Sequence, residues 1–459
     1  MYKICVDGAC IEPQTIQTSA HPFNRTWPGA QRDASQCEIA YMLRLFGKGK
    51  KRIDVEADFC ISEAIVRPLS KDAKIAFDGH RASVTLEGHG KYSVEFNGHH
   101  HAIHVIYQEE MPVSSSAPTY SFGDGHHYVG LLRLHDGESV YLSKNAVVHG
   151  SLYAVDASHI RIYGNGILCG DWEERIEKHG DIGFDNENSF SPEDVHTYGG
   201  IRTYRCEDIS VEGIIVTDTA SYGISFFATD GIYIDNVTVL GLWKYNCDGI
   251  DFFNCSNMEV KNCFIRSFDD CMCMKGLTAF SDKNTMNARI EDCVFWCDWG
   301  KNIDIGLATA CQEIKNIVWK NCDIIHGSGV CIAISNGQWA DVHDVWIEDF
   351  RIEYSAYTEA PCIQKNDDEE YPVGRGTHIP DLLLITDRRR NWQGNVSLED
   401  ARTKIRDITI SHINVMLDKR IEGMPRIQVK KTTDSSVFES IKIDDVFFNG
   451  ERQTINVKF

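Results

Sequence analysis

Residues 257–265 read NMEVKNCFI, residues 287–295 NARIEDCVF and residues 316–324 NIVWKNCDI. These are three copies of one nine-residue pattern. Each alternates apolar and polar residues, places an Asn or Asp sixth and a cysteine seventh, and resumes an apolar run. That is a strand, a turn and a strand. Outward from these copies the same pattern recurs, more degenerate, as DISVEGIIV (208–216), GIYIDNVTV (231–239), DVWIEDFRI (344–352), DITISHINV (407–415) and SIKIDDVFF (440–448), with HIRIYGNGI (159–167) as a weaker early copy. From residue 208 to residue 344 successive copies start 23 to 30 residues apart, the length of one rung of a parallel β-helix rather than of a propeller blade. The expected fold is therefore all-β, a right-handed parallel β-helix whose equivalent residues stack roughly 4.8 Å apart. The sixth position carries Asn236, Asn262, Asp292, Asn321, Asp349 and Asp445, polar groups suited to one bend of successive rungs. Cys263, Cys293 and Cys322 at the seventh should form one inward column of small apolar groups.

Residues 1–115 lack the repeat. Their short alternating runs, KRIDVEADF (51–59), ASVTLEGHG (82–90) and KYSVEFNGHHHAIHVIY (91–107), predict an antiparallel β-sandwich-like domain. The helix would then occupy 116–459, with the Ser/Pro/Gly segment Pro112–Gly125 as linker. Two long departures from the rung length, at about 168–200 and 353–403, read as walls of a cleft, with a homo-oligomer contact as the alternative.

Lys plus Arg number 46 and Asp plus Glu 67, a net charge of −21 that argues against nucleic acid and anionic membrane surfaces as partners. The 17 cysteines are odd in number in a chain too large to need staples, so reduced core thiols are expected. The opening MYKICVDGACIEPQ has no basic segment followed by an apolar run, and no stretch approaches membrane-spanning length, which leads to the expectation of a soluble, cytoplasmic protein. His99, His100, His101 and His104 resemble a metal cluster, but no neighbouring cysteine or acid completes one, and neither a metal nor a cofactor is expected.

Chemistry concentrates in YNCDGIDFF (245–253) and SFDDCMCMKG (267–276). Asp248 and Asp269 are 21 residues apart, close to one rung, so Asp248, Asp269 and Asp270 can converge on one face. Carboxylates that close cannot all ionise freely, which produces an acid beside a base. Glycosidic cleavage uses such a pair, one carboxyl protonating the leaving oxygen and another activating water. The plain alternative is a set of turn-forming acids. Asn246, Asp251, Lys275 and Lys301 are the expected polar substrate contacts, with Trp243, Trp299 and Trp339 as candidate sugar platforms or core residues. Asp298 and Asp304 lie on the same expected face, and Arg388, Arg389 and Arg390 are either an anion-binding group or solvated.

Asn246-Cys247-Asp248-Gly249 followed by Asp269-Asp270-Cys271 resembles the NTD and DD motifs of the polygalacturonases, glycoside hydrolase family 28, and of the dextranases and isopullulanases, family 49. The likeness spans about residues 150–350. It implies an inverting hydrolase with Asp269 as general acid and Asp248 with Asp270 holding the water. Where polygalacturonases continue with GHG, this chain has Gly300-Lys301-Asn302, and where they carry RIK it has Gly329-Val330-Cys331-Ile332-Ala333, without either cation. The family 49 enzymes resemble it in lacking that pair, in a preceding β-sandwich and in a lysine placed like Lys275. A carbohydrate substrate follows, expected to be neutral and of α-glucan type. A pectin-type polygalacturonase, or a lyase or epimerase using Lys275 or Lys301 as base, stands as the alternative.

Overall fold

The computed structural model describes residues 1–25, 32, 34–173, 199–364, 377–388 and 403–455. From Tyr120 onward, 29 strands of the described residues form one continuous sheet, parallel except for its last strand Glu451–Gln453, that coils through successive rungs as the right-handed parallel β-helix expected from the repeat. Three faces recur. The first carries the early half of each nonamer, as in Ser256–Lys261 on Thr285–Glu291 on Glu313–Lys320. The second carries its late half, as in Phe264–Ser267 on Val294–Cys297. The third carries the return strands, among them Tyr222–Phe227, Ile250–Phe253, Met272–Gly276, Lys301–Thr309 and Val330–Asn336.

The nonamer works because two of its positions are left-handed. Position six has φ of +58° at Asn236, +56° at Asn262, +56° at Asp292 and +53° at Asn321, and position one has +57° at Asn257, +59° at Asn287 and +55° at Asn316. Asn and Asp tolerate this region because their short polar side chains bond locally. They also stack: the Asn316 amide donates to Asn287 at 3.0 Å, and Asn287 to Asn257 at 2.9 Å. The seventh-position thiols Cys263, Cys293 and Cys322 are unbonded, fully buried and in the central core, each donating to the carbonyl two residues before it.

Residues 2–108 form two five-stranded sheets around a core that includes Ile4, Leu43, Val55, Val84, Val94 and Val105. Antiparallel pairing dominates, but Cys37–Phe46 runs parallel to Ile103–Gln108. The outer face of that second sheet, through Ile16, Met42 and Ile106, packs on Phe264, Val294 and Trp296 of the helix's second face. Two details differ from expectation, and the histidine run has a definite place. The Pro112–Gly125 segment is not only linker, since Tyr120–Phe122 pairs with Ser139–Leu142 and opens the helix. Cys5 and Cys10 face each other across a hairpin and are disulfide-bonded, so not every thiol is reduced. In the histidine run, His99–His101 lie in the turn between Gly90–Phe96 and Ile103–Gln108, and each of three rings has its own partner: His104 meets Ser93 Oγ at 2.6 Å and Arg266 Nη1 at 3.0 Å, His100 meets Glu38 at 2.8 Å, and His101 meets the Ile39 carbonyl at 2.8 Å.

Candidate active site

The acidic motifs lie where the second face turns into the third. Asp248 sits on the turn before Ile250–Phe253, and Asp269 and Asp270 sit one rung later on the turn before Met272–Gly276. Backbone bonds lock the turns together, Gly249 N–H donating to the Asp270 carbonyl at 2.8 Å and Cys271 N–H to that of Lys301 at 2.8 Å. Asn246 initiates the first turn in the left-handed region at φ +51°. Gly300 on the following rung has no room for a side chain: a Cβ there would lie 2.6 Å from Asp269 Oδ1 and 2.7 Å from the Asp270 nitrogen. The outward column of the third face runs Ser225, Asp251, Cys273, Asp304, Ala333 by strand register.

Two lysines divide the carboxylates between them. Lys275 Nζ donates to Asp248 Oδ2 at 2.7 Å and to Asp251 Oδ2 at 2.9 Å. Lys301 Nζ donates to Asp304 Oδ2 at 2.6 Å and to Asp270 Oδ2 at 3.3 Å, while its backbone N–H donates to Asp270 Oδ1 at 2.8 Å. Asp248, Asp251, Asp270, Asp304 and Lys275 are buried; Asp269 and Lys301 are half-buried at the rim.

Environment separates the two adjacent aspartates. Burial, with the charges of Asp248 and Asp270 added, holds the Asp269 carboxyl well above the ordinary range. Burial works against the Asp270 carboxylate too, but Lys301 and Lys275 outweigh it and hold it below the ordinary value. Burial raises Asp248 against the pull of Lys275, and does so more strongly for Asp251. One carboxyl is thus biased toward its protonated form beside one biased toward its ionised form, the arrangement that suits an acid and a base. Asp248, Asp270 and the Cys273 thiol have atoms within 4.8 Å of one another. The two ammoniums supply the positive charge that a cation would bring there, so no metal role is derived.

The structure also says which expected contacts converge. Lys275, Lys301 and Asp251 join the carboxylates directly. Trp299 stacks on Phe268, centroids 5.7 Å apart, next to Asp269. Trp243 is buried to 7% exposure and is no open platform. Trp339 lies on the turn after Val330–Asn336, at the opposite end of the third-face strands from the carboxylates. Asp298 is drawn to Arg266 at 3.2 Å, behind the corner rather than in it. Ala333 continues the floor beside Asp304, but Cys331 points into the core against the Tyr354 hydroxyl at 3.5 Å. Arg388 is exposed; Arg389 and Arg390, with most of both long insertions, lie outside the described residues.

Two contributors escaped sequence reading. Cys273 approaches Asp270 Oδ2 at 3.5 Å, and its place in the floor column follows only from register. Arg32, from the N-terminal part, stacks its guanidinium 3.6 Å over Phe268 and donates to the Trp243 carbonyl and to Ser19 Oγ at 3.1 Å, gripping both carboxylate-bearing turns from behind. Its burial is deep enough to bring it down to about 9. No local pattern around residue 32 could reveal a partner more than 200 residues away.

The fold is a right-handed parallel β-helix, with the lysine-partitioned carboxylate cluster at one of its corners. Residues 151–360 match the family model of Glycosyl hydrolases family 28, and the chain is polygalacturonase-like over that span. Among curated proteins it is 25% identical over 158 residues to Rhamnogalacturonase B of Aspergillus niger, covering 34% of this chain and 26% of that one. It is 23% identical over 211 residues to "Probable rhamnogalacturonase A" of Aspergillus oryzae, covering 45% and 41%. The chain therefore spans between a quarter and a half of the length of these relatives. Among solved structures, an exopolygalacturonase from Thermotoga maritima aligns with TM-score 0.48 at 16% identity over 72% of this chain and 84% of that one. Dex49A from Penicillium minioluteum aligns with TM-score 0.49 at 12% identity over 87% and 90%.

Proposed function

We propose that this chain is an inverting glycoside hydrolase acting on a pectin-type, galacturonate-containing polysaccharide or its oligosaccharides. In this reading Asp269 is the general acid, and Asp270 with Asp248 holds the attacking water. The observation that carries it is the geometry of the three aspartates on adjacent rungs: Lys275 bonds Asp248, Lys301 bonds Asp270 through its ammonium and its backbone N–H, and Asp269 touches Asp270 through the Asp270 N–H to Asp269 Oδ1 bond at 3.0 Å, a setting that pushes Asp269 up and Asp270 down. The family match and the rhamnogalacturonase relatives favour the pectin-type reading over the neutral α-glucan expected from the missing cations. The lyase or epimerase alternative is weakened by chemistry: Lys275 and Lys301 are each paired with two carboxylates whose charges hold them well above the ordinary lysine value, which leaves neither an available base. The proposal also takes residues 1–115 as a domain that steadies the site through Arg32, and 116–459 as the catalytic domain.

The test is a reducing-end assay on rhamnogalacturonan, polygalacturonate and dextran, with the anomer followed by NMR during early turnover. Turnover of a pectic substrate with inverted configuration is the expected result. Cleavage of dextran alone would overturn the substrate class, retention would overturn the assignment of roles, and an unsaturated, ultraviolet-absorbing product would make the enzyme a lyase.

A further inference from the structure

A second cluster of reactive side chains stands at the N-terminal end of the helix. Parallel register sets Tyr128 against His149 and His149 against Cys169, so three outward side chains form a column, and Asp171 follows Cys169 by two residues. His149 Nδ1 is 2.8 Å from Asp171 Oδ1, and one donor atom from each of His149, Cys169 and Asp171 lies within 4.8 Å of the others. The imidazole is held on two further sides. His126 Nδ1 lies 2.8 Å from His149 Nε2, and the Tyr128 ring lies parallel to the imidazole with centroids 4.5 Å apart and 11° between planes. His149 is buried, whereas the Asp171 side chain is 41% exposed, so the cluster opens to solvent on its carboxylate side.

We infer that His149 Nδ1, the Cys169 thiolate and the Asp171 carboxylate form a zinc site, with His126 orienting His149 from behind and the fourth position facing solvent. Mixed nitrogen, sulfur and oxygen donors suit zinc, which accepts all three in a tetrahedral shell, and rigid strands hold two of the ligands in register. The Asp171 carboxylate can only accept, so His149 Nδ1 carries the ring proton in the metal-free protein, and zinc binding shifts it to Nε2. When His149 Nε2–H donates to His126 Nδ1, the Nδ1 lone pair is free for the metal, and an outer partner of this kind is what fixes ligating histidines. The proton balance is explicit: a cysteine thiol binds zinc as thiolate, and its proton passes to the buffer. Zinc would tie the strand Ala146–Val155 to Ile167–Cys169 and the turn after it, near the open end of the solenoid. Cys169, Thr217, Val239 and Ser267 end successive strands of the second face, so the site is about three rungs, roughly 14 Å, from Asp269. Its occupancy and the hydrolytic reading are therefore separable.

Chelator-treated full-length protein is titrated with zinc by calorimetry in two buffers of different ionisation enthalpy, and with cobalt by absorption. One zinc per chain, proton release, a raised thermal midpoint and a sulfur-to-cobalt charge-transfer band are expected. Cys169→Ser should abolish the band. Asp171→Asn, at an exposed position, should weaken zinc binding with the fold intact by circular dichroism, and His126→Ala should weaken it by about 10–100-fold. Absence of zinc binding by the unmutated protein, or equal binding by Cys169→Ser and Asp171→Asn, would overturn the site, the latter placing any metal on other thiols.

Discussion

At the scale of single residues, the site runs on how two lysines apportion charge. Lys301 is the residue that keeps Asp270 ionised, by its ammonium and by its backbone N–H, and Lys301→Met removes only the first. With less positive charge nearby, Asp270 titrates at higher pH. Because the base must be ionised to work, the acid limb of the pH profile of kcat/KM should move upward in this variant while the alkaline limb, set by loss of the Asp269 proton, moves less. An unmoved acid limb would show that Asp270 is not the titrating base. Asp269→Asn should cost about 10²–10⁴-fold in kcat on natural linkages. It should cost far less on aryl glycosides, which leave without full protonation, and a steady-state comparison of the two substrates reads this directly. Asp248, Asp269 and Asp270 were legible as candidates because the one-rung spacing could be counted. Their unequal protonation was not, since it comes from lysines whose side chains meet them only after the rungs stack.

At the scale of the element, the rung is a strand pattern punctuated by two left-handed residues, and its glycines mark where neighbouring turns touch. Position six was readable as a polar column. Position one was not recognised as its left-handed counterpart, because His159, Asp208 and Ser440 share it with the asparagines and only φ unites them. Asn262→Val puts a β-branched side chain at φ +56° and deletes the donor to Asp235 Oδ1 at 2.8 Å. A loss of about 1–3 kcal/mol in urea unfolding is expected, with Asn262→Gly losing much less. Gly300→Ala acts on function instead. Its new methyl meets Asp269 and the Asp270 backbone within 2.7 Å, so both carboxylates must shift, and misplacement of that order can cost about 10²-fold in kcat. Unchanged circular dichroism with lost turnover would locate the effect in the site; unchanged turnover would mean the turn relaxes elsewhere.

At the scale of the whole molecule, the N-terminal sheets and the helix share a buried ionic network. Arg67 bonds Glu95 at 3.1 Å and also Glu353 of the helix, and His326 of the helix meets the same Glu95 at 2.7 Å. All four side chains are nearly inaccessible; Glu353 also accepts from the Leu69 N–H at 2.6 Å, and burial holds His326 below the ordinary imidazole value, so Arg67 is the main positive charge facing the two carboxylates. Arg67→Met strands two carboxylates and should destabilise the protein by about 3–5 kcal/mol, read as a lower urea midpoint. Neutralising the acids as well, in Arg67→Met/Glu95→Gln/Glu353→Leu, should recover most of that loss. If the single variant is as stable as the parent, the network is solvated and the two parts are held by apolar packing alone.

The amino-acid sequence by itself determined the solenoid, because each rung repeats the same alternation and the same polar bend. A periodic pattern of that kind has one economical way to bury its apolar face. It determined the corner at which Asp248 meets Asp269 and Asp270 for the same reason, since distance along the chain converts directly into rungs. Everything set by lateral contact had to wait for the folded chain: the pairing of Lys275 with Asp248 and Asp251, the seat of Arg32 beneath Phe268, the meeting of His126, His149, Cys169 and Asp171, and the burial of Trp243. Arg32 lies at a separation unrelated to the rung length; the others are about a rung apart, but whether their side chains meet depends on directions that neighbours set, and burial, which shifts their protonation, is a property of the packed molecule alone.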